Sequence, residues 1–228
     1  MGEWCGHGPV LEQDIAMTNI ALDLIGQARM LYQYAAEQKG DGATEDSLAF
    51  VRQPGEYLNC QLVEQPNENY GHTIMRQFLF DTFNYFSYKA LKSSSDETLA
   101  AIAAKSFKEV SYHLRFSSEW VIRLGDGTEV SRDKMQTALD DLWMYTGELY
   151  TPTDLESSLS EVGIAPDFSE IEINWKNKVK DVMREATLQI PELDFMQSGG
   201  KSGVHTEHMG FILTELQYMQ RTYPNLQW

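Results

Sequence analysis

The first long stretch of the chain carries apolar residues at intervals of three and four positions, the spacing of one helix face. Two neighbouring stripes run through residues 11–37, formed by Ile15, Leu22, Ile25 and Tyr32 and by Leu24, Ala28, Leu31 and Ala35. Pro9 precedes this stretch and Gly40 follows it, as expected at helix boundaries. The pattern predicts a long α-helix with a wide buried face.

Similar helical patterns recur to the end of the chain, separated by capping and turn residues. They predict helices at 44–52 and 67–92, from Ser94 to Leu124, at 131–149, from Thr153 to before Gly163, from Ser169 to before Pro191, and from Thr206 to before Pro224. Three of these starts carry a glutamate three residues later, at Glu97, Glu156 and Glu172, as in a capping box. No convincing strand and no internal repeat occurs. The sequence predicts an all-α, up-and-down helical bundle in one domain, residues 1–228.

The charge of the chain excludes two classes of partner. Its 18 Lys and Arg against 34 Asp and Glu give a formal net charge of −16, the wrong sign for binding nucleic acid or an anionic membrane face. No apolar run approaches the roughly 20 residues that span a bilayer, and the start lacks the regions of a signal peptide. Cys5 and Cys60 have neither metal nor redox spacing. Reduced thiols predict a cytoplasmic protein.

Polar side chains within the predicted long helices are the first candidates for a functional site. Asp23 and Gln27 share one face of the first helix, and Asp81 lies among aromatic residues of the second. Glu109 and His113 share a face of the third. A buried carboxylate is costly unless it is paired or bound to metal. These residues predict either a di-iron site between helices or a hydrogen-bond network or solvated stripe.

The spacing of these residues argues against a di-iron centre. Such a bundle uses Glu-x-x-His on two helices, so that one carboxylate and one imidazole reach the same metal pair. Three positions before His113 stands Val110, which cannot bind metal. Glu109 is one position away, turned by about 100° around the helix. The first predicted helix contains no histidine.

A glycine-rich segment near the end of the chain offers two further motifs. Residues 200–202 resemble the end of a phosphate loop, but Phe195 stands where that motif needs glycine. His205 and His208 could hold zinc, although no third or fourth ligand is visible nearby. The preferred interpretation is that Thr206 caps the last helix and that both histidines are exposed. Methionine and aromatic residues are best read as core packing.

Four segments in order carry a resemblance to one family: Leu22–Arg29, Leu62–Asn67, Lys108–Phe116 and Gly199–His208. They resemble the C subunits of phenylacetyl-CoA epoxidase, a multicomponent oxygenase of bacterial phenylacetate catabolism. The signature residues in the last segment are Gly199, Gly200, Lys201, His205, Glu207 and His208. The resemblance implies a ferritin-like bundle with additional C-terminal helices. It also implies a structural role beside a catalytic A subunit with a di-iron centre, other oxygenase components and a reductase.

The resemblance further implies that ligand positions have been lost. The first Glu-x-x-His of the catalytic relative falls on Leu24 and Gln27, and the second falls on Val110 and His113. Three of these four positions cannot serve as the original ligands. We therefore expect no cofactor in this chain, with the di-iron centre in the partner subunit.

The residues that remain beside those positions are expected to form a buried polar cluster of Asp23, Asp81, Glu109 and His113 without a catalytic role. The predicted assembly is a hetero-oligomer, or a homodimer when the chain is alone. Two alternatives stay open: a di-iron or di-manganese oxidase that uses the same four residues, and a stand-alone helical adaptor. The family usually has about one further helix before the segment that here forms residues 2–7, so either the start of this chain is truncated or that helix is absent.

Overall fold

Eight α-helices make up most of residues 1–224, the part of the chain that the computed structural model describes. They are α1 (Leu11–Lys39), α2 (Tyr70–Leu91), α3 (Glu97–Gly125), α4 (Glu129–Trp143), α5 (Gly147–Tyr150), α6 (Asp154–Glu161), α7 (Phe168–Glu185) and α8 (His208–Thr222). A π-helical turn (Ser47–Val51) and four 3-10 turns (Gly2–Trp4, Pro54–Glu56, Gln61–Glu64 and Gly200–Ser202) lie between them. No strand occurs in these residues. The all-α bundle is confirmed.

Aspartates, rather than the predicted serines, begin two of the helices. Asp96 caps α3 by accepting a hydrogen bond from the Leu99 N–H at 2.9 Å, so the predicted Ser94 capping box is wrong. The α7 helix begins after Asp167, which accepts from the Ser169 N–H at 2.8 Å. A charged acceptor suits the positive end of a helix better than a hydroxyl. The Thr153 capping box on α6 is confirmed.

The predicted helix at 131–149 is broken into two, which corrects the sequence interpretation. The α4 helix ends at Trp143, and α5 restarts at Gly147 after a turn. A Cβ on Gly147 would lie 3.0 Å from the Cβ of Met196, so this turn packs closely on the later loop. The break turns Glu148 inward, where it is buried.

The main core surrounds α2, which packs most extensively on α3 and also contacts α4 and α7. Its side chains Ile74, Met75, Phe78 and Leu79 are fully buried. Trp175 of α7 donates a hydrogen bond from its indole N–H to the backbone oxygen of Leu79 at 2.9 Å. The central position of α2 places its polar residues in the interior as well. No helix in residues 1–224 is long and apolar enough to cross a membrane.

The first helix lies at the edge of the bundle and exposes a face that was predicted to be buried. Its fully packed residues are Met17, Ile20 and Gln27, on the side that meets α3. In contrast, Leu22 and Ile25 are 60% and 64% exposed. The predicted burial of that stripe is wrong, because α1 carries apolar stripes on two sides and its contact with α3 covers only one of them.

Candidate functional site

Two hydrogen-bonded pairs, Asp23–His113 and Gln27–Glu109, join α1 to α3. We call these four residues, together with Asp81, the polar centre. The His113 ring Nε2 lies 2.9 Å from the Asp23 carboxylate, and the Gln27 amide donates to Glu109 at 2.8 Å. His113 and Gln27 are buried, whereas Asp23 and Glu109 are half-buried. Each carboxylate therefore has a donor from the opposite helix, which offsets the cost of removing it from water.

Asp81 forms a separate group with α2 and α3 residues. Its carboxylate accepts from the Gln77 amide at 2.6 Å and from the Ser117 hydroxyl at 2.8 Å, and it is fully buried. Burial raises the pKa of Asp81 to about 7, because removal from water penalises the charged form more than the two hydrogen bonds favour it. This carboxyl is therefore a group whose charge changes near neutral pH.

Hydrogen bonds divide the four residues of the predicted cluster among three groups, and the Ser117 hydroxyl also meets the His113 backbone oxygen at 2.9 Å. Asp81 is bonded to Gln77 and Ser117, while Asp23–His113 and Gln27–Glu109 are separate pairs. Residue spacing on single helices could not reveal this division, because Asp23, Glu109 and the Ser117 hydroxyl each meet a partner on another helix. Across residues 1–224, no three His, Cys, Asp or Glu side chains come together as a metal site would require.

The two vestigial glutamate positions predicted from the resemblance carry apolar side chains in the bundle. Val110 is fully buried and packs with Tyr88 and Ala103. Leu24 is half-buried on α1. Neither side chain has an atom that can bind a metal ion, so the chain offers hydrocarbon where a carboxylate ligand would be needed.

The glycine-rich segment binds a carboxylate of its own chain. Glu148 accepts hydrogen bonds from the backbone N–H of Gln61 at 2.9 Å, of Gly199 at 2.8 Å and of Lys201 at 3.2 Å. The Lys201 ammonium donates to Glu156 at 3.2 Å. The donors that a phosphate loop would offer to an anion are thus engaged within the protein.

Gly200 is required by the close approach of the same segment to residues 59–61. A Cβ at this position would lie 2.4 Å from the Asn59 carbonyl oxygen and 2.9 Å from the Glu148 carboxylate. Only glycine permits backbone contact at this distance. The segment therefore acts as a clasp, which we define as residues 199–206 held on Glu148 and Glu64.

The second anchor of the clasp is Glu64, and it corrects the interpretation of His205 and Thr206. Glu64 is buried and accepts from the Thr206 N–H at 2.8 Å and from its hydroxyl at 2.7 Å, while His205 Nδ1 lies 2.6 Å away. His205 Nε2 also meets the Tyr57 carbonyl at 2.9 Å. The His205 ring is therefore held inside rather than exposed, because both ring nitrogens have partners.

The start of α8 differs from the prediction in the same region. Thr206 does not cap the helix with its side chain; Glu207 occupies the N-cap position without a side-chain hydrogen bond. His208 is the first helical residue and is half-buried. The Thr206 hydroxyl donates a hydrogen bond to the buried Glu64 carboxylate instead. This hydroxyl is therefore not available to cap α8 as the sequence predicts.

The clasp holds α8 beside α1 and residues 45–51, and an apolar groove of about 430 Å³ lies between them. Its apolar lining comes mainly from Ile25, Tyr32, Phe50, Met209, Ile212 and Leu216. Arg29, Glu45 and Asp46 add charge to the same groove. We call this surface, with the exposed stripe of α1, the α1–α8 face.

The comparison with known proteins identifies the family. The model of the family described as phenylacetic acid catabolic protein matches residues 1–228. The chain belongs to this family. The C subunit of the 1,2-phenylacetyl-CoA epoxidase of Escherichia coli (strain K12) is 49% identical over 228 residues, which are 100% of this chain and 92% of that relative. The predicted resemblance is thereby confirmed.

Four polar residues that form hydrogen bonds in the fold were not predicted from the sequence. Gln77 and Ser117 stand four residues from Asp81 and His113, and this helical spacing was the available signal. Glu64 and Glu148 lie in short segments between the long helices, where an acidic residue normally faces solvent. Their roles depend on a loop more than 50 residues away, so local pattern carries no trace of them.

Proposed function

We propose that this chain is the structural, non-catalytic subunit of a multicomponent di-iron epoxidase that acts on phenylacetyl-CoA in aerobic phenylacetate catabolism. The observation that carries the proposal is the 49% identity to the C subunit of such an epoxidase over the full length of the chain. A match over a whole chain, rather than over one motif, favours a shared place in an assembly.

In this proposal the chemistry belongs to a homologous A subunit. Its di-iron centre activates oxygen for addition to the aromatic ring, with electrons from a separate reductase. The present chain binds that subunit and supports its structure. The free thiols Cys5 and Cys60 fit a reducing compartment, so we place the complex in the cytoplasm.

The donor set of the polar centre does not fit a di-iron pair. Leu24 and Val110 stand where the resemblance assigns glutamate ligands, and neither has a donor atom. Asp23 and Glu109 are already bonded to His113 and Gln27. We therefore assign no step of oxygen activation to this chain, and its polar side chains serve to hold α1 on α3.

Metal analysis and co-purification test this proposal together. The isolated chain is expected to contain no stoichiometric iron and to turn over no phenylacetyl-CoA. When it is co-expressed with the A subunit encoded by the same organism, both chains are expected to co-purify, with iron in the A subunit alone.

Two results would contradict the proposal in different ways. About two irons per isolated chain, with an oxo-bridged absorption band, would favour an active di-iron oxidase. An iron-free chain that binds no epoxidase component would instead favour a stand-alone helical adaptor.

A further inference from the structure

Both ring nitrogens of His205 face acceptors inside the clasp. Nδ1 lies 2.6 Å from the Glu64 carboxylate, and Nε2 lies 2.9 Å from the Tyr57 carbonyl oxygen. A carbonyl oxygen and an ionised carboxylate have no hydrogen to donate, so each needs an N–H from the ring. A neutral imidazole has one N–H and satisfies only one of these acceptors, whereas an imidazolium has two. The geometry therefore requires a ring that carries both protons.

The contacts of Glu64 favour its ionised form. One oxygen accepts from the Asn59 side-chain amide at 2.9 Å and faces His205, while the other accepts from the Thr206 N–H at 2.8 Å and from its hydroxyl at 2.7 Å. Donors to both oxygens stabilise a carboxylate over a carboxylic acid. The side chains of Glu64 and His205 are 1% and 7% exposed, so bulk water screens this charge little. A buried carboxylate needs a counter-ion, and His205 is its ion-pair partner within residues 1–224.

The other anchor of the clasp holds its charge in a different way. Glu148 accepts hydrogen bonds from three backbone N–H groups, and these donors do not titrate. The attachment of residues 199–201 is therefore independent of any side-chain proton. Residues 205–206 lead directly into α8, and their attachment includes a donor that can lose its proton.

The position of α8 makes this second attachment important. Within residues 1–224 the main contacts of α8 are with the short turns of residues 47–64 rather than with the long helices of the bundle. Its buried residues Met209 and Leu213 form, with Tyr57, a small cluster apart from the main core. Because this cluster is small, the hydrogen bonds of His205 at the start of the helix contribute a large share of what holds α8.

Further charged groups lie around the clasp without taking the ring proton. On the flanking positions and the elements packed nearby they are Arg29, Glu45, Asp46, Arg52, Glu207 and His208. Within residues 1–224 none of these six side chains bonds to the His205 ring, whose partners are Glu64 and Tyr57. The proton on Nδ1 is therefore held by the Glu64 carboxylate.

We propose that His205 is an imidazolium ion paired with Glu64 inside the protein at neutral pH, and that its second proton locks the start of α8 onto the bundle. While the ring holds both protons, Glu64 and the Tyr57 carbonyl are both satisfied. Loss of one proton as pH rises leaves one of these buried acceptors without a donor. The start of α8 then loosens, while residues 199–201 stay bound to Glu148. This latch belongs to the chain itself and does not depend on the function proposed above.

Nitrogen NMR of the histidine rings tests the protonation state in the unmodified chain. The chain has five histidines, so the protein labelled with ¹⁵N gives few ring signals, and His205→Gln identifies those of residue 205 by their loss. We expect two protonated nitrogens for His205 at neutral pH, and we expect them to persist at pH values where the exposed His7 has become neutral. One protonated and one unprotonated nitrogen for His205 at neutral pH would overturn the proposal.

Two variants at residue 205 and one matched control test the latch. His205→Asn keeps an amide that can donate to Glu64, and His205→Gln keeps one that can reach the Tyr57 carbonyl, but neither carries a charge or replaces both ring donors. His208→Gln changes a half-buried histidine one helical turn later. Hydrogen exchange of the α8 amides is measured by mass spectrometry, with α2 as the internal reference. Both variants at 205 should lower α8 protection about 10- to 100-fold, whereas the control should match wild type.

A pH series on the wild-type chain completes the test without any substitution, so it decides the question even where a variant at 205 unfolds. After correction for intrinsic exchange, α8 protection relative to α2 should fall by a similar factor as pH rises, and the variants at 205 should show no such step. Relative protection of the wild-type α8 that stays constant to about pH 10 would overturn the latch. Wild-type protection of α8 in both variants at 205 would also overturn it.

Discussion

Single residues at the polar centre show why side chains left beside lost ligand positions can stabilise a fold. Asp23 and Glu109 each have a partner on the facing helix, and Asp81 has two. Polar residues inside long helices could be identified from the sequence, because burying them without partners is costly. Which of them pair could not, because pairing depends on how α1, α2 and α3 are rotated against one another.

Asp81 predicts a measurable pH dependence of stability. With a pKa of about 7 against 3.8 unfolded, the native state holds a proton that the unfolded chain has released between those values. Stability from this group is therefore complete below about pH 4 and is lost as pH rises to about 7. The shift corresponds to roughly 4 kcal/mol.

The variant Asp81→Asn isolates this effect, because asparagine does not titrate and can still accept from Gln77. The free energy of unfolding, measured in urea from acid to neutral pH, should shift in favour of the variant by roughly 4 kcal/mol as pH rises. A difference between variant and wild type that stays constant with pH would show that Asp81 has the same pKa in the native and unfolded states.

The Asp23–His113 pair predicts a loss of stability without a loss of catalysis. His113→Ala leaves the Asp23 carboxylate without its partner on α3, at a cost of about 1–3 kcal/mol in unfolding free energy. His7→Ala changes an exposed histidine and serves as the control. The assembled complex should keep near wild-type specific activity; loss of activity with assembly intact would mean that His113 takes part in the reaction.

At the scale of elements, the periodic pattern predicts the helices well and their environment poorly. The positions of α1, α2 and α3 follow from apolar spacing and from flanking glycine and proline residues. The buried side of α1 could not be predicted, because Met17 and Ile20 lie opposite an equally apolar stripe with Leu22 and Ile25. The break between α4 and α5 depends on contact with a distant loop, which periodicity does not register.

The clasp predicts a sharp contrast between two glycines. Gly200→Ala places a Cβ 2.4 Å from the Asn59 oxygen, so we expect a loss of about 1–3 kcal/mol and faster hydrogen exchange along α8. Gly210→Ala meets nothing within 4 Å inside α8 and should instead stabilise it by about 0.5–1 kcal/mol. Equal exchange rates in the two variants would show that the clasp does not hold α8.

At the scale of the whole molecule, the chain combines an acidic composition with the exposed apolar α1–α8 face. The net charge of −16 can be read from the sequence, and it suggests faster association with a basic surface. The location of the apolar face could not be read in this way, because exposure depends on every element that packs around α1. Leu24 and Val110, which stand where the resemblance implies glutamate ligands, support the proposal of a structural partner subunit.

The central claim is tested most directly by measuring phenylacetyl-CoA epoxidation with the A subunit and its reductase, in the presence and absence of this chain. The account predicts no product from this chain with the reductase and little product from the A subunit with the reductase alone. It predicts full turnover when the A subunit, this chain and the reductase are all present. A soluble A subunit that is fully active in the complete absence of this chain would contradict the structural role.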